Sequence, residues 1–386
     1  MAGYGLDLQL EVYGKGEVPD HPFSYEGWEQ RAREVLDAGA FGYIAGGAGT
    51  EWTMRANREA FYRWRLRPRM LRDVSERDLS VEVLGARSAG PFMLAPVGVL
   101  SIAHPEAELA VARAAAATGV PVILSTVSSF TLEEVARESG DAPRWFQLYP
   151  GRSPELNRSL VERAERAGYS AVVITLDTTM LGFRRRDLEN AYLPFLKGEG
   201  VANYFSDPIF RARLKEAPER DPEAAVRAFL EVYVTPDLTW DDVNAVREAT
   251  SLPVLVKGIT HPEDAREAVR QGVEGLVVSN HGGRQVDGAV AALDALPKVV
   301  EAVGGSMPVL FDSGVRSGAD ALKAVALGAT ATLVGRPYAY ALAAAGESGV
   351  RRVVRSLLAE VDLQLALSGY RSVRELGASS LLDARD

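Results

Sequence analysis

The stretch PVLVKGITHPEDAREAVRQGVEGLVVSNHGGR, residues 253–284, decides the fold. It opens on a continuous apolar run, 253–257, that ends in Lys257. His261-Pro262-Glu263 then starts an amphipathic helical pattern that stops at Gly272. A second apolar run, 275–279, closes on Ser279-Asn280-His281. Uninterrupted β-branched runs are what parallel strands buried on both faces require, and a helix between two of them makes a βαβ unit.

Outward from this unit the same rhythm repeats. Candidate strands precede it at 92–95, 121–125, 144–148 and 171–176, and follow it at 308–312 and 331–334. Helical patterns lie between them. The pattern at 106–118 is stopped by Gly119, and the one at 132–138 has Thr131 as N-cap and Glu134 completing a capping box. Those at 153–167 and 317–326 are stopped by Gly168 and Gly328. Eight strands alternating with helices predict an α/β fold, the (β/α)8 or TIM barrel.

Starts of successive strands fall 22 to 33 residues apart, except that the fourth and fifth are separated by 82. The excess defines a long insertion after strand four, at 178–240, polar and rich in proline. We read it as a lid, with Asp207-Pro208 and Asp221-Pro222 marking mobile parts. Residues 1–90 form an N-terminal helical extension, with helical patterns at 25–37 and 51–61 around the turn Gly46-Gly47-Ala48-Gly49. Residues 350–367 read as an amphipathic final helix. No linker divides the chain, so 1–386 is read as a single domain.

Composition fits this. Of 386 residues, 47% are apolar and 25% charged, which excludes wholesale disorder. The net charge of −9 argues against a general nucleic-acid binder. With no cysteine, disulfides, thiolate metal sites, iron–sulfur clusters and cysteine nucleophiles are all excluded. The N-terminus lacks the basic start and apolar core of a signal peptide, and no apolar run approaches membrane-spanning length. A cytoplasmic protein without a membrane partner is expected. No histidine pair sits at metal-ligand spacing, so no metal is expected. Neither a Gly-x-Ser-x-Gly motif nor a dinucleotide fingerprint is present.

In a barrel of this kind the chemistry sits at the C-terminal ends of the strands. Polar residues or turns stand at every one of them. They are Pro96-Val97-Gly98, Ser125, Gln147 with Tyr149, Thr175 with Asp177, Lys257, Ser279-Asn280-His281, Asp312-Ser313-Gly314 and Gly335-Arg336. His281 is one of only four histidines and is flanked by glycines. It can serve as a proton acceptor near neutral pH, or it can merely satisfy a turn. Asp177 can stabilise an imidazolium or cap a turn. Lys257, emerging from a buried run, must find an anionic partner. Arg316 and Arg336, beside the glycine turns after strands seven and eight, suit a phosphate, although both also read as surface arginines. Arg184 opens a charge run that is ordinarily a solvated face. Together with Arg284 it could clamp a small carboxylic acid.

Three motifs taken in order carry a resemblance. They are Ser279-Asn280-His281-Gly282-Gly283-Arg284-Gln285, Leu310-Phe311-Asp312-Ser313-Gly314-Val315-Arg316 and Val334-Gly335-Arg336-Pro337. With Tyr43, Ala95-Pro96, Gln147-Leu148-Tyr149, Thr175-Leu176-Asp177-Thr178 and Lys257-Gly258, they resemble the FMN-dependent 2-hydroxy-acid oxidizing family. That family includes glycolate oxidase, lactate oxidase and lactate 2-monooxygenase. The resemblance spans about residues 11–376. It implies FMN at the strand ends of the barrel, a small 2-hydroxy acid and O2 as partners, and a tetramer or larger homo-oligomer.

It also implies residue roles. His281 would be the base at the substrate α-carbon, with Asp177 stabilising its charged form. Arg184 and Arg284 would hold the substrate carboxylate, helped by Tyr43, and Tyr149 would meet the hydroxyl or keto oxygen. Lys257 would lie at the flavin N1–C2 carbonyl edge. Ser125, Gln147, Thr175 and Ser279 would satisfy polar atoms of the cofactor, and Pro96, Val97 and Gly98 would face the ring. Asp312, Gly314, Arg316, Gly335 and Arg336 would hold the ribityl chain and phosphate.

Gly98, the stretches 182–188 and 203–208, and the long insertion resemble the lactate 2-monooxygenase branch. Oxidases of the family usually have alanine where this chain has Gly98. Val127 departs from the tryptophan of glycolate-oxidase-like enzymes, and Arg185 from a proline common in the monooxygenase branch. The first expectation is therefore oxidative decarboxylation of L-lactate to acetate, CO2 and water. The alternative is a plain oxidase releasing the keto acid and H2O2, and a sensor barrel that binds FMN without catalysis is the reading from a different class.

Overall fold

The computed structural model describes residues 3–384. All eight expected strands form: β1 (Phe92–Leu94), β2 (Val122–Ser125), β3 (Arg144–Leu148), β4 (Val172–Thr175), β5 (Val254–Ile259), β6 (Gly275–Val278), β7 (Val309–Phe311) and β8 (Ala331–Val334). Each pairs in parallel with its sequence neighbour, and β8 returns to β1, closing the barrel. The uninterrupted apolar runs follow from this closure. One set of side chains, among them Met93, Ile123, Trp145, Val173, Leu255, Val277, Leu310 and Leu333, fills the barrel interior. The alternating set, among them Phe92, Leu124, Phe146, Val172, Val256 and Val278, packs outward. The interior is thus solid, and the barrel's own ligand space lies beyond the strand ends.

Helix boundaries follow the capping chemistry. Thr131 forms the full capping box with Glu134, and Ser317 forms another with Asp320. Ser153 and His261 cap helices that begin with Pro154 and Pro262. Register also places chemistry. Ser125 lies opposite Gln147, and Thr175 lies opposite Lys257. The β5–β6 register shifts between Lys257 and Ile259, where Gly258 has φ +113°. A Cβ on Gly258 would stand 2.9 Å from the Asp177 Cβ, so glycine at this bulge lets Asp177 approach β5.

The structure refines the reading in three places. The 25–37 pattern forms one helix, Tyr25–Val35, and a second helix, Ala38–Ala45, follows it. Leu36 is extended, and Asp37 caps the second helix by accepting from Ala40 N at 2.8 Å. The insertion is not loose chain. It holds helices at Arg185–Glu189, Ala202–Phe205, Pro208–Arg211 and Pro222–Tyr233, and buries Phe195, Tyr204, Phe210, Phe229 and Tyr233 in one aromatic cluster. Asp207-Pro208 and Asp221-Pro222, expected to mark mobile parts, are N-caps followed by first-turn prolines. The final helix expected at 350–367 forms, as the last part of the run Arg336–Leu367, which is broken by non-helical backbone at Ala345 and Gly346.

Two small sheets and several helices have no pattern named in the sequence, among them Trp240–Arg247 and Ala292–Val303. Trp64–Leu66 pairs with Leu381–Asp383, and a hairpin of Val81–Val83 with Ala86–Ser88 packs on the interior cluster. The helix Tyr4–Lys15 lies on Arg336–Leu367. Among the described residues no helix is long and apolar enough to cross a membrane.

Candidate active site

The strand ends open into a cleft enclosing about 1100 Å³, part of it open to solvent. His281 enters it from the turn after β6 with φ +58°, and Ser313 after β7 has φ +82°. Non-glycine residues rarely adopt this conformation, and where they do it is commonly at working sites. The turn is fixed at both ends. Asn280 accepts from Gly283 N at 3.1 Å, and Ser279 Oγ accepts from His281 N at 3.0 Å.

The imidazole Nδ1 of His281 lies 2.7 Å from Asp177 Oδ1 and 3.2 Å from Thr178 Oγ1. Burial opposes ionisation of Asp177, but His281 and Lys257 outweigh it and hold the carboxyl down at about 2. Burial, seconded by Lys257 and against the pull of Asp177, pushes His281 below its ordinary value. At neutral pH the pair is therefore carboxylate and neutral imidazole. An ionised Asp177 fixes the proton on Nδ1 and leaves the Nε2 lone pair free.

Lys257 is buried at the end of β5. Its Nζ donates to Ser279 Oγ at 2.9 Å and lies 3.3 Å from Asp312 Oδ2. Burial works against its charge, yet Asp312 and Asp177 hold it above the usual range. Arg284 spends one nitrogen on the Tyr43 and Gly46 carbonyls, at 2.6 and 2.8 Å. Burial, helped by the charges of Arg184 and Arg336, pushes it down to about 9. Arg184 donates to the Arg284 carbonyl and to Gln285 Oε1. Three guanidiniums thus crowd one wall. Such crowding is unfavourable until an anion arrives.

Arg336 opens the long helix behind Gly335 and donates to the carbonyls of Gly282, Ile44 and Gly46. Arg316 lies 4.1 Å over the Tyr25 ring, and its Nε is buried without a hydrogen-bond partner. Behind the cleft surface, Gln147 Nε2 donates to Thr175 Oγ1 at 2.9 Å and its Oε1 accepts from Ser125 Oγ at 3.1 Å.

Fourteen of the residues singled out in the sequence line the cleft: Tyr43, Pro96, Val97, Gly98, Tyr149, Arg184, Lys257, His281, Arg284, Asp312, Gly314, Arg316, Gly335 and Arg336. Ser125, Gln147, Thr175, Asp177 and Ser279 stand behind that surface, bonded to residues that line it or to one another. Among the described residues no cluster could hold a metal ion.

The sequence profile described as FMN-dependent dehydrogenase matches residues 32–383, nearly the whole chain. The chain belongs to the FMN-dependent dehydrogenase family. It is 44% identical to L-lactate oxidase of Lysinibacillus sphaericus, over 94% of this chain and 93% of that one. It is also 44% identical to 4-hydroxymandelate oxidase of Amycolatopsis orientalis, over 92% and 96%. A crystal structure of mandelate oxidase superposes with a TM-score of 0.83 at 44% identity, covering 94% of this chain and 98% of that one. This family member is accordingly an FMN-dependent 2-hydroxy-acid oxidoreductase with the TIM-barrel fold.

The donor set fits FMN. A buried guanidinium nitrogen on Arg316 lacks a partner, a second guanidinium and a helix start stand at Arg336, and an amide–hydroxyl array stands at Ser125, Gln147 and Thr175. A phosphate dianion suits the two guanidiniums and the helix start, and a flat ring with polar edges suits the amide–hydroxyl array.

Some cleft residues escaped the sequence reading. Gln285 holds Arg184 and also donates to the Asp177 and Met180 carbonyls. Its one signal in the sequence is its place in the quoted motif, directly after Arg284. Thr178 bonds both members of the His–Asp pair. Phe195, Leu181 and Tyr233 come from the insertion and wall the cleft, and no periodicity in the chain marks them.

Proposed function

We propose that this chain is an oxidase of small L-2-hydroxy acids, L-lactate first, converting substrate and O2 to the 2-keto acid and H2O2. The observation that carries the reading is the 2.7 Å contact between His281 Nδ1 and Asp177, beside an arginine wall in the same cleft. FMN, when bound, accepts the two electrons of the α-carbon–hydrogen bond and passes them to O2.

The chain's own residues do the rest. Arg284 and Arg184 receive the substrate carboxylate, and the anion relieves their mutual repulsion. Tyr149 stacks beside the His281 ring at 6.5 Å and bounds the position of the substrate hydroxyl, and Tyr43 lines the same cleft. His281 Nε2 takes the proton, and Asp177 stabilises the imidazolium so formed. Lys257 supplies fixed positive charge at the polar edge of the ring site. Asp312, Gly314, Arg316, Gly335 and Arg336 hold the chain and phosphate of the cofactor. Ser125, Gln147, Thr175 and Ser279 hold its ring from behind, and Pro96, Val97 and Gly98 face it.

The named oxidases at 44% identity support release of the keto acid. One observation favours the second reading, retention of pyruvate and H2O2 and their reaction to acetate, CO2 and water. Gly98 is crowded, and a Cβ there would stand 2.5 Å from Val127 Cγ2 and 2.7 Å from its carbonyl, so the alanine usual in oxidases does not fit unless Val127 moves. Aerobic turnover of L-lactate separates them. Free H2O2 equal to O2 consumed, with pyruvate, supports the oxidase, whereas acetate equal to O2 with little free peroxide supports the monooxygenase. No flavin-dependent turnover of any small 2-hydroxy acid would sink both. A tetramer or larger assembly, as the resemblance implies, is read from light scattering.

A further inference from the structure

The loops after β1 and β2 wall the cleft with Gly98, Val99, Leu100 and Val127. They are stitched together directly, with Val99 N donating to the Val127 carbonyl at 2.8 Å and Ser101 N to Ser129 Oγ at 3.1 Å. Behind them sits Glu108, 3% exposed, on the first turn of the helix Ala107–Thr118. A single carboxylate oxygen, Oε1, accepts from Leu100 N at 3.2 Å and from Ser129 N at 3.1 Å, one donor from each loop. Its other oxygen, Oε2, is buried without a partner. Among the described residues no lysine, arginine or histidine forms an ion pair with it.

We infer that Glu108 is a positioning residue for the cleft, holding the two loops at one spacing through a shared carboxylate oxygen and setting how tightly the cleft grips its ligands. A glutamine would satisfy a purely structural helix start and both loop N–H groups equally well. An acid buried without a cation is costly, and its cost is understandable if its charge does something.

Burial pushes the Glu108 carboxyl up to about 7, against the lowering by the backbone N–H groups of Glu108 itself, Ser129, Leu100 and Phe130. The ionisable groups on the elements around it leave that balance in place. Tyr338, on the long helix, donates its hydroxyl to the Ala95 carbonyl. Glu199, from the insertion, accepts from Ser101 Oγ. Glu106 faces outward to Arg113, and His104 Nδ1 accepts from Glu106 N. When Glu108 ionises, Oε1 becomes a stronger acceptor for both loops. The grip of the cleft therefore tightens as pH rises through the Glu108 value. His281, pushed below its ordinary value, titrates on the acid side of this step.

The inference rests on the cleft being the FMN and substrate site. The test uses the FMN-loaded protein and oxalate, which carries the carboxylate but no α-hydrogen, with binding read from the visible flavin band between about pH 5.5 and about pH 8.5. In wild type, oxalate affinity relative to Glu108→Gln should rise about fivefold through the Glu108 titration, because a charged acceptor replaces a neutral one. Glu108→Gln keeps the two acceptor contacts and should retain FMN with no step of its own. Glu108→Ala leaves two buried N–H groups unpaired and should weaken FMN or oxalate by about tenfold or more.

A wild-type to glutamine ratio that stays flat across the range overturns the inference, even if the alanine variant fails to fold. So does an alanine variant that binds both ligands as wild type does. A wild-type chain that takes up no FMN removes the proposed function and this inference with it, whereas a wild type that loads and turns over while the glutamine ratio stays flat removes the inference alone.

Discussion

Asp177 holds one carboxylate between the His281 imidazole and the Lys257 ammonium, and its replacement separates what each of them needs. In Asp177→Asn the amide keeps a contact to His281 Nδ1 but supplies no charge for the imidazolium, so kcat should fall about 10²- to 10⁴-fold. Asp177 raises the His281 value against burial, so its loss should push that value lower still. The base must be neutral to act. In wild type, the acid limb that His281 sets in kcat/KM should therefore lie below the ordinary histidine value, and in the variant it should move further toward low pH. A pH profile of kcat/KM for both proteins checks this, and a limb that moves up would overturn the assignment. Arg284→Lys keeps a charge but cannot reach the Tyr43 and Gly46 carbonyls and still offer a fork to the substrate. Loss of one charge-assisted bond, about 1.5–3 kcal/mol, should lower kcat/KM about 10- to 100-fold, chiefly through KM. His281, Lys257 and Arg284 were legible because each stands at a strand end in a glycine-marked or buried context that a surface residue does not need. Glu108 was not legible. In the sequence it is one acid of several at a helix start, and only the return of two distant loops onto one oxygen distinguishes it.

The insertion shows where reading by local pattern fails. Its proline pairs look like breakers in one dimension, but an aspartate before a proline is also the beginning of a helix, and Asp207 is fully buried at such a start. Asp207 Oδ1 accepts from Ile209 N, and Oδ2 meets Arg163 at 3.1 Å and accepts from Ser159 Oγ. Arg163 in turn bridges to Glu133 and to the Asn203 carbonyl, so helix Pro154–Arg166 is riveted to the insertion. No sequence window contains both halves of that rivet, which is why the segment reads as polar and loose. Barrel strands and their helices carry caps and stops within a few residues of each other, and those were legible. Asp207→Ala leaves Arg163 with one carboxylate fewer and a helix start uncapped. It should cost about 3–5 kcal/mol, as breaking a buried pair does. Thermal denaturation would register the loss. Limited proteolysis should open new cuts between residues 177 and 241 before the barrel is attacked, and cleavage elsewhere first would count against the insertion being held by this contact.

At the scale of the whole molecule, the cleft concentrates positive charge in a chain whose net charge is −9, and that distribution makes folding and cofactor binding one equilibrium. Arg184, Arg284, Arg316, Arg336 and Lys257 all face one opening. Burial and the neighbouring Arg336 lower Arg316 from its ordinary value, so its charge is a cost to the apo fold, offset in part by the Tyr25 ring. A ligand phosphate that pairs with it turns the cost into binding energy. FMN at about one hundred times its dissociation constant should stabilise the folded state by about 2.7 kcal/mol, visible as a rise in Tm. Arg316→Leu should leave the apo protein within about 1 kcal/mol of wild type, because a leucine still packs on Tyr25 while the desolvation cost disappears. The same variant should lose most of the FMN-induced rise in Tm. Removing an arginine important only for the fold would lower both melting points together and leave their difference intact. Arg316 therefore belongs to the phosphate site if the gap between apo and loaded Tm closes while the apo value stays put, and to the scaffold if the gap survives.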